Sequence, residues 1–178
     1  AISGQYAYVA VGTEGFQIIN VQNPATPFYV GGYNSGIGYD VAIAGNYAYL
    51  ATDAGLKVLN TSNPTNPVLA GVASDVVFYG SIALSGSYAY VTRGSALKVI
   101  DISNPASPSL LASTTNLGGA LMVAVSGNYA YVAAGAAGLK VIDISNPSNP
   151  VVVGQLTNTV YGGWAVGLAV AGNYVYLA

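Results

Sequence analysis

Residue types that carry most enzyme chemistry are scarce in this sequence. The chain has no histidine and no cysteine, and only six acidic and four basic residues among 178. Imidazole and thiolate groups supply most general bases, thiol nucleophiles and zinc ligands, so an active site here would depend on carboxylates. A catalytic carboxylate pair needs a defined separation, and the sequence does not show one. We therefore expect no enzymatic activity.

Metal and cofactor sites have equally little support. The acidic residues Glu14, Asp40, Asp53 and Asp75 could surround a calcium ion, but none belongs to a closely spaced Asp-x-Asp loop. The Gly-Gly pairs would need an adjoining helix N-terminus to hold a phosphate, and no helical period is present. We expect neither a metal nor a cofactor.

Composition excludes several partners. Four basic residues cannot neutralise a phosphate backbone, which removes the electrostatic basis for binding nucleic acid or an anionic membrane surface. A hydrophobic fraction of 53% with a net charge of −2 predicts a chain that buries a core rather than a disordered one. The uncharged stretch 102–139 is interrupted by Asn-Pro, Ser-Pro, Gly-Gly and Ser-Gly-Asn, so it does not predict a membrane-spanning helix.

Two independent markers show that the chain is a tandem repeat. The motif Gly-x-Tyr-x-Tyr recurs at intervals of 41, 41, 41 and 45, beginning at Gly4, Gly45, Gly86, Gly127 and Gly172. The motif Asn-Pro-x-x-Pro recurs at intervals of 40, 41 and 42, with first prolines Pro24, Pro64, Pro105 and Pro147. Repetition at such a period indicates a repeat architecture.

Each repeat predicts four short strands, which we name A to D in order. In the second repeat these are residues 40–44, 47–52, 56–60 and 68–72, joined by a Gly-Asn turn and an Asn-Pro-x-x-Pro turn. Four-stranded units of about 40 to 45 residues are typical of propeller blades. We predict an all-β propeller of about four antiparallel blades. Residues 1–39 form a partial first blade, 40–80, 81–120 and 121–164 form three more, and 165–178 begin another.

The strand C sequences resemble a known family. Leu-Lys-Val-Ile-Asp at 97–101 and 139–143, followed by Ile-Ser-Asn-Pro and preceded by Gly-x-Tyr-Ala-Tyr-Val, is similar to the LVIVD repeat. The first repeat departs at Gln17 and Asn20. The resemblance implies a WD-like propeller and no catalytic residue. Because the family is associated mostly with surface or secreted proteins of bacteria and archaea, it also implies an extracellular or cell-surface location.

Repeat spacing separates two rims of such a propeller. The A–B turns and the spacing from strand C to the first proline are constant, whereas the B–C and D–A connections vary in length. Loops on a rigid scaffold most often carry binding. Candidate ligand contacts on the variable rim, for a carbohydrate or a peptide, are Tyr39, Asp40, Asp75, Tyr79, Arg93, Tyr161 and Trp164. The alternative is that these aromatic side chains only pack within the fold.

The remaining repeated residues are expected to be structural. Ten of the fifteen tyrosines belong to the Tyr-x-Tyr pairs, which lie on one face of strand B. Lys57, Lys98 and Lys140 recur three positions before Asn60, Asp101 and Asp143, an arrangement that suits turn hydrogen bonds and solubility.

The ends of the chain leave the architecture incomplete. Residues 1–10 repeat what 170–178 already supply, so the chain is not a whole number of blades. It is a segment of a longer propeller, or copies associate as two halves of an eight-bladed ring or head to tail in a filament. We expect a structural scaffold that self-associates through blade edges, and the rival hypothesis is a ligand-binding module that uses the variable rim.

Overall fold

The protein is built of short antiparallel strands. A computed structural model of the chain describes residues 1–74, 80–157 and 163–178. These residues form eighteen strands and no helix, so the described part of the chain contains no helical segment that could cross a bilayer. The predicted all-β class is confirmed.

The strands form four sheets of four strands and one sheet of two, each in chain order. The first sheet contains β1 (Ile2–Ser3), β2 (Tyr6–Ala10), β3 (Phe16–Asn20) and β4 (Phe28–Tyr33). The second contains β5 (Gly38–Ala44), β6 (Tyr47–Thr52), β7 (Gly55–Asn60) and β8 (Val68–Ala73). The third contains β9 (Ile82–Ser85), β10 (Tyr88–Arg93), β11 (Ala96–Asp101) and β12 (Ser109–Thr114). The fourth contains β13 (Met122–Ser126), β14 (Tyr129–Ala133), β15 (Leu139–Asp143) and β16 (Val151–Leu156), and the last contains β17 (Leu168–Ala171) and β18 (Tyr174–Leu177).

Local sequence explains why the strands turn where they do. Gly45 has a φ of 56°, a left-handed conformation that glycine adopts without steric cost, and it reverses the chain between β5 and β6. In the turn between β7 and β8, the Asn63 side-chain oxygen accepts a hydrogen bond from the Thr65 amide at 3.2 Å. The predicted strand B of this repeat, 47–52, agrees with the observed β6, and the other three differ by one or two residues at their ends.

In each four-stranded sheet, the pairing of the third strand with the fourth carries the same irregularity. The register between the third and fourth strands shifts once in each sheet, next to the pairs Ile18↔Gly31, Val58↔Gly71, Val99↔Ala112 and Val141↔Gly154. A β-bulge increases local twist and limits further pairing along an edge. These four pairs define equivalent positions in the four repeats.

The described chain divides into two compact units. Unit 1 is Ala1–Phe78 with Ser103–Pro108, and unit 2 is Tyr79–Ile102 with Ser109–Ala178. In unit 1, one face of the first sheet packs against one face of the second around Phe16, Ile18 and Leu50, and β2 lies beside β5.

Unit 2 repeats this packing with its own residues. Its core contains Tyr90, Leu97 and Val99 of the third sheet and Val132 and Ile142 of the fourth. The strand β13 lies beside both β9 and β17, so strands of type A are neighbours from sheet to sheet. The strands of type D are therefore the outer edges of these sheets.

Candidate functional site

Four of the seven candidate ligand contacts lie in the described part of the chain. Tyr39 and Asp40 lie in β5 of unit 1, whereas Arg93, at the end of β10, and Trp164, just before β17, belong to unit 2. The other three, Asp75, Tyr79 and Tyr161, lie outside the described residues.

In unit 2 the B–C and D–A loops form one continuous rim. The Leu117 amide donates a hydrogen bond to the Ser95 carbonyl at 2.9 Å, and the Gly119 amide donates to the Ala134 carbonyl at 3.3 Å. The 134–138 loop in turn joins the segment before β17, because Gly135 and Ala165 exchange two backbone hydrogen bonds of 3.1 Å. The loops that hold Arg93 and Trp164 therefore belong to the same rim, as the repeat spacing predicts.

Trp164 packs against Gly135 at this rim. A Cβ on Gly135 would be 3.1 Å from the Trp164 Cε3 atom, so a side chain at position 135 would push the indole back by a few tenths of an ångström. The indole is held on one side by this contact, yet Trp164 is 65% exposed. An exposed, positioned aromatic face can stack on the apolar face of a sugar ring or on a peptide side chain.

In unit 1 the polar residues near the rim hold loops together. The Asp53 Oδ1 atom accepts a hydrogen bond from the Ile37 amide at 3.2 Å, and Lys57 Nζ donates to the Ser35 carbonyl at 2.8 Å. Asp40 Oδ1 accepts from the Val41 amide at 2.8 Å. These contacts fix the connection between β4 and β5, so Asp53 and Lys57 have structural roles.

An apolar groove that the sequence did not indicate lies beside β18. Its volume is about 350 Å³, and its walls come from β13, β17 and β18 through Met122, 167–169 and 176–178. Two of the lining residues are joined by a hydrogen bond, which the Leu168 amide donates to the Met122 Sδ atom at 3.2 Å. Within the described part of the chain β17 and β18 pair only with each other, and no residue type in the sequence signals the groove.

The electrostatics of the described residues show structural causes. Hydrogen bonds from Ser145 hold the pKa of the half-buried Asp143 carboxyl below its usual value. Burial raises the pKa of the Tyr49 and Tyr90 phenols, with a smaller contribution from Tyr47 and Tyr88 respectively. Among the residues that the structure describes, no group of three acidic side chains is placed to hold a metal ion.

Comparison with known families accounts for the repeat. The model of the LVIVD repeat matches residues 1–35, 35–75, 70–116, 117–158 and 162–178, which together cover most of the chain. The chain belongs to the LVIVD repeat family. No curated protein matches its sequence.

Solved structures similar to this LVIVD protein show its fold. The computationally designed Ika8 protein is 14% identical with a TM-score of 0.72, and the chain covers 53% of it. A functionally unknown protein from Desulfotomaculum acetoxidans DSM 771 is 18% identical with a TM-score of 0.70, and the chain covers 62% of it. Each match covers 99% of this chain. The chain thus spans between half and two thirds of the length of these two structures.

The LVIVD motif residues have visible structural roles. The residue that ends strand C accepts a hydrogen bond from the amide two positions later, in the turn: Asn60 from Ser62 at 2.9 Å and Asp143 from Ser145 at 2.8 Å. Asn20 of the divergent first repeat makes the equivalent bond at 2.9 Å. Lys140 Nζ donates to the Gln155 side chain at 2.6 Å. The bonds of Asn20, Asn60 and Asp143 are the turn hydrogen bonds that the sequence predicts for this position.

Proposed function

We propose that this LVIVD chain is a non-enzymatic scaffold module of an extracellular or cell-surface protein, arranged as propeller blades that associate through their edges. The observation that carries the proposal is the composition of the outer strands. β4, β8, β12 and β16 expose large apolar side chains to solvent, among them Phe28, Tyr29, Val68, Leu69, Leu110, Leu111, Val151, Val152 and Val153.

Apolar edges of this kind favour association. In the described chain, no strand pairs with the outer side of β4, β8, β12 or β16, so their backbone groups on that side are open to another strand. Soluble proteins usually protect such edges with lysine or proline. Here the net charge of −2 gives little repulsion between copies, and the register shift in each outer strand limits how long a pairing can grow.

A non-enzymatic role agrees with the rest of the molecule. The groove beside β18 is lined mainly by apolar side chains and carries no charged side chain. Neither the LVIVD repeat family nor the two similar structures are known by a reaction that they catalyse. The cell-surface location rests on the resemblance to LVIVD proteins.

Light scattering after size-exclusion chromatography tests the proposal. We expect the mass to rise with protein concentration and to fall when Leu69→Lys and Leu110→Lys are combined, because two charges on the outer strands oppose edge pairing. Thr65→Lys with Ser107→Lys adds the same charge at exposed turn positions and should leave the mass unchanged. A wild-type chain that stays monomeric at all concentrations contradicts the scaffold role.

A second candidate function is supported by Trp164 alone. Its indole is held against Gly135 and exposed, which suits a carbohydrate or peptide ligand. Trp164 is the only tryptophan, so its fluorescence reports directly on this position. A glycan or peptide that binds here should change the emission of the wild type, and Trp164→Ala should lose that binding while Tyr174→Ala keeps it. Binding that survives Trp164→Ala rejects this site.

A further inference from the structure

The four outer strands differ at one position that bears on how well each edge resists pairing with another strand. This position faces the lysine of the LVIVD motif, or Gln17 in the first sheet, and we call it the guard position. The four pairs are Gln17↔Gly32, Lys57↔Val72, Lys98↔Ser113 and Lys140↔Gln155. Soluble proteins protect an exposed edge with charged side chains, above all lysine.

Three of the outer strands carry a polar group at the guard position. In β16, Gln155 is exposed and accepts a hydrogen bond from Lys140 Nζ at 2.6 Å, which holds a charge beside this edge. In β12, the residue is the exposed Ser113. In β4, a Cβ on Gly32 would lie 3.1 Å from the Tyr29 hydroxyl oxygen, so a phenol group lies at this position.

The guard position of β8 is aliphatic instead. Val72 is 38% exposed, and the lysine paired with it is bonded elsewhere: Lys57 Nζ donates to the Ser35 carbonyl at 2.8 Å, in the connection between β4 and β5. Val68 and Leu69 of the same strand are 49% and 43% exposed. The strand contains only valine, leucine, alanine and glycine. Among the four outer strands, β8 alone has no polar side chain.

The exposure of β8 occurs in a sheet that is covered on both faces. On one face, Leu50 and Leu59 are fully buried in the core shared with the first sheet. On the other face, Tyr49, Leu56 and Val58 are at most 4% exposed. The aliphatic side chains of β8 are therefore open to solvent because they lie at the edge of the sheet, and packing of neighbouring sheets does not cover them.

The bulge of β8 places Leu69 and Val72 on the same face. Leu69 pairs with Leu59 and Val72 pairs with Lys57, and residues two apart on β7 point to the same face. The register shift between these pairs inserts one extra residue into β8, so side chains three positions apart lie on one side. A strand added at this edge therefore meets two aliphatic side chains on one face.

We propose that β8 pairs with β8 of a second copy, antiparallel about a two-fold axis, so that Leu69 of each chain faces Val72 of the other. Such an interface is self-complementary, because both members of each facing pair are aliphatic and neither strand brings a charge. A strand with polar or charged side chains fits this edge less well, since those groups would lose water against Leu69 or Val72. This inference rests on the proposed self-association and assigns it to one strand.

A lysine at the guard position tests the assignment. Val72→Lys adds an exposed side chain to the single chain but places an ammonium group against Leu69 of the second copy, so we expect the dissociation constant to rise at least about 100-fold. Ser113→Lys is the matched control, because it adds the same charge at the equivalent position of β12, and it should leave the dissociation constant unchanged. Circular dichroism verifies that both variants fold.

The outcomes separate this pairing from the scaffold role. If Val72→Lys chains associate as the wild type does, or if Ser113→Lys weakens association equally, the assignment to β8 is wrong although the scaffold role stands. A wild-type chain that stays monomeric overturns both proposals and leaves β8 to a strand of another protein.

Disulfide trapping tests the register of the pairing. The chain has no native cysteine, so mixing Leu69→Cys chains with Val72→Cys chains should give a cross-linked heterodimer under mild oxidation. Each variant alone should not cross-link, since two copies of one position lie roughly 10 Å apart along the strands, beyond the span of a disulfide. Leu110→Cys mixed with Ser113→Cys, at the equivalent positions of β12, is the matched control. A β8 mixture that gives no more product than these controls overturns the proposal.

Discussion

The backbone of Gly71 lies against the Pro105 carbonyl oxygen, so closely that a methyl group on Gly71 would overlap it. The contact joins a type D strand to the Asn-Pro turn of the following repeat, and Gly31 makes the same contact with Pro64. The glycine of the strand and the proline motif of the next turn, 34 residues apart, are therefore two parts of one packing contact.

Gly71→Ala should destabilise the protein and Gly154→Ala should not. At position 71 the methyl group would force the backbone of the 105–106 turn to move, which costs about 1–3 kcal/mol. At position 154 a methyl group meets Val141 at an ordinary contact distance, and alanine restricts the unfolded chain, so a gain of up to about 1 kcal/mol is expected. Urea denaturation at low protein concentration measures both, and equal effects would contradict the packing difference.

Thr92→Val should cost about 1–3 kcal/mol although it preserves side-chain volume. Thr92 is fully buried, and its Oγ1 accepts from the Ser81 amide at 2.9 Å and lies 3.1 Å from the Leu121 carbonyl, to which it can donate. Valine would leave those two backbone groups without this partner. Thr13→Val at an exposed loop position is the control. Thermal denaturation of Thr92→Val that matches the wild type would rule out this hydrogen-bonded role.

Alkaline pH should destabilise the fold through its buried tyrosines. Because the pKa of Tyr49 and of Tyr90 is raised in the folded state above its ordinary value of 10.0, their contribution is complete below that pH and is lost as pH rises through the raised values. Combining Tyr49→Phe with Tyr90→Phe should flatten the alkaline limb of the stability curve. Tyr174→Phe, at an exposed ring, serves as the comparison. An unchanged alkaline limb in the double variant would refute this assignment.

Acid should loosen the turn after β15. The pKa of Asp143 is lowered by its hydrogen bonds from Ser145, so the stabilisation is present above the ordinary aspartate pKa and is lost as pH falls through the lowered value. The chemical shift of the Ser145 amide should follow this titration in NMR spectra. Asp143→Asn keeps an acceptor oxygen but cannot titrate, so the pH response of that amide should disappear. A persistent response would show that another group causes it.

Local sequence was enough to predict most strands. Alternating apolar residues directly after the Gly45-Asn46 turn predicted 47–52 as a strand, and β6 has those bounds. Such signals depend on residues that are neighbours along the chain, so strands can be recognised from them without knowledge of the tertiary structure. The grouping of B–C and D–A loops that unit 2 shows was also predicted, since the loop lengths of successive repeats can be compared directly.

The candidate site was predicted less completely. The sequence singled out Trp164 as the unique tryptophan but did not show that its indole lies on Gly135, because that contact joins residues 29 positions apart in different loops. The groove beside β18 was missed, since its walls are ordinary strand residues such as Leu168 and Tyr176.

The sequence by itself determined that this chain is a tandem array of β-sheets, because strand period, turn chemistry and repeat length are local properties. Only the tertiary structure decided which copies of a repeated residue are buried. Val9 and Leu50 are equivalent in sequence, and so are Tyr131 and Tyr90, yet Val9 is exposed and Tyr131 half-buried, whereas Leu50 and Tyr90 are buried. Burial depends on what packs against a face, and a face that has no neighbouring sheet stays exposed whatever its sequence.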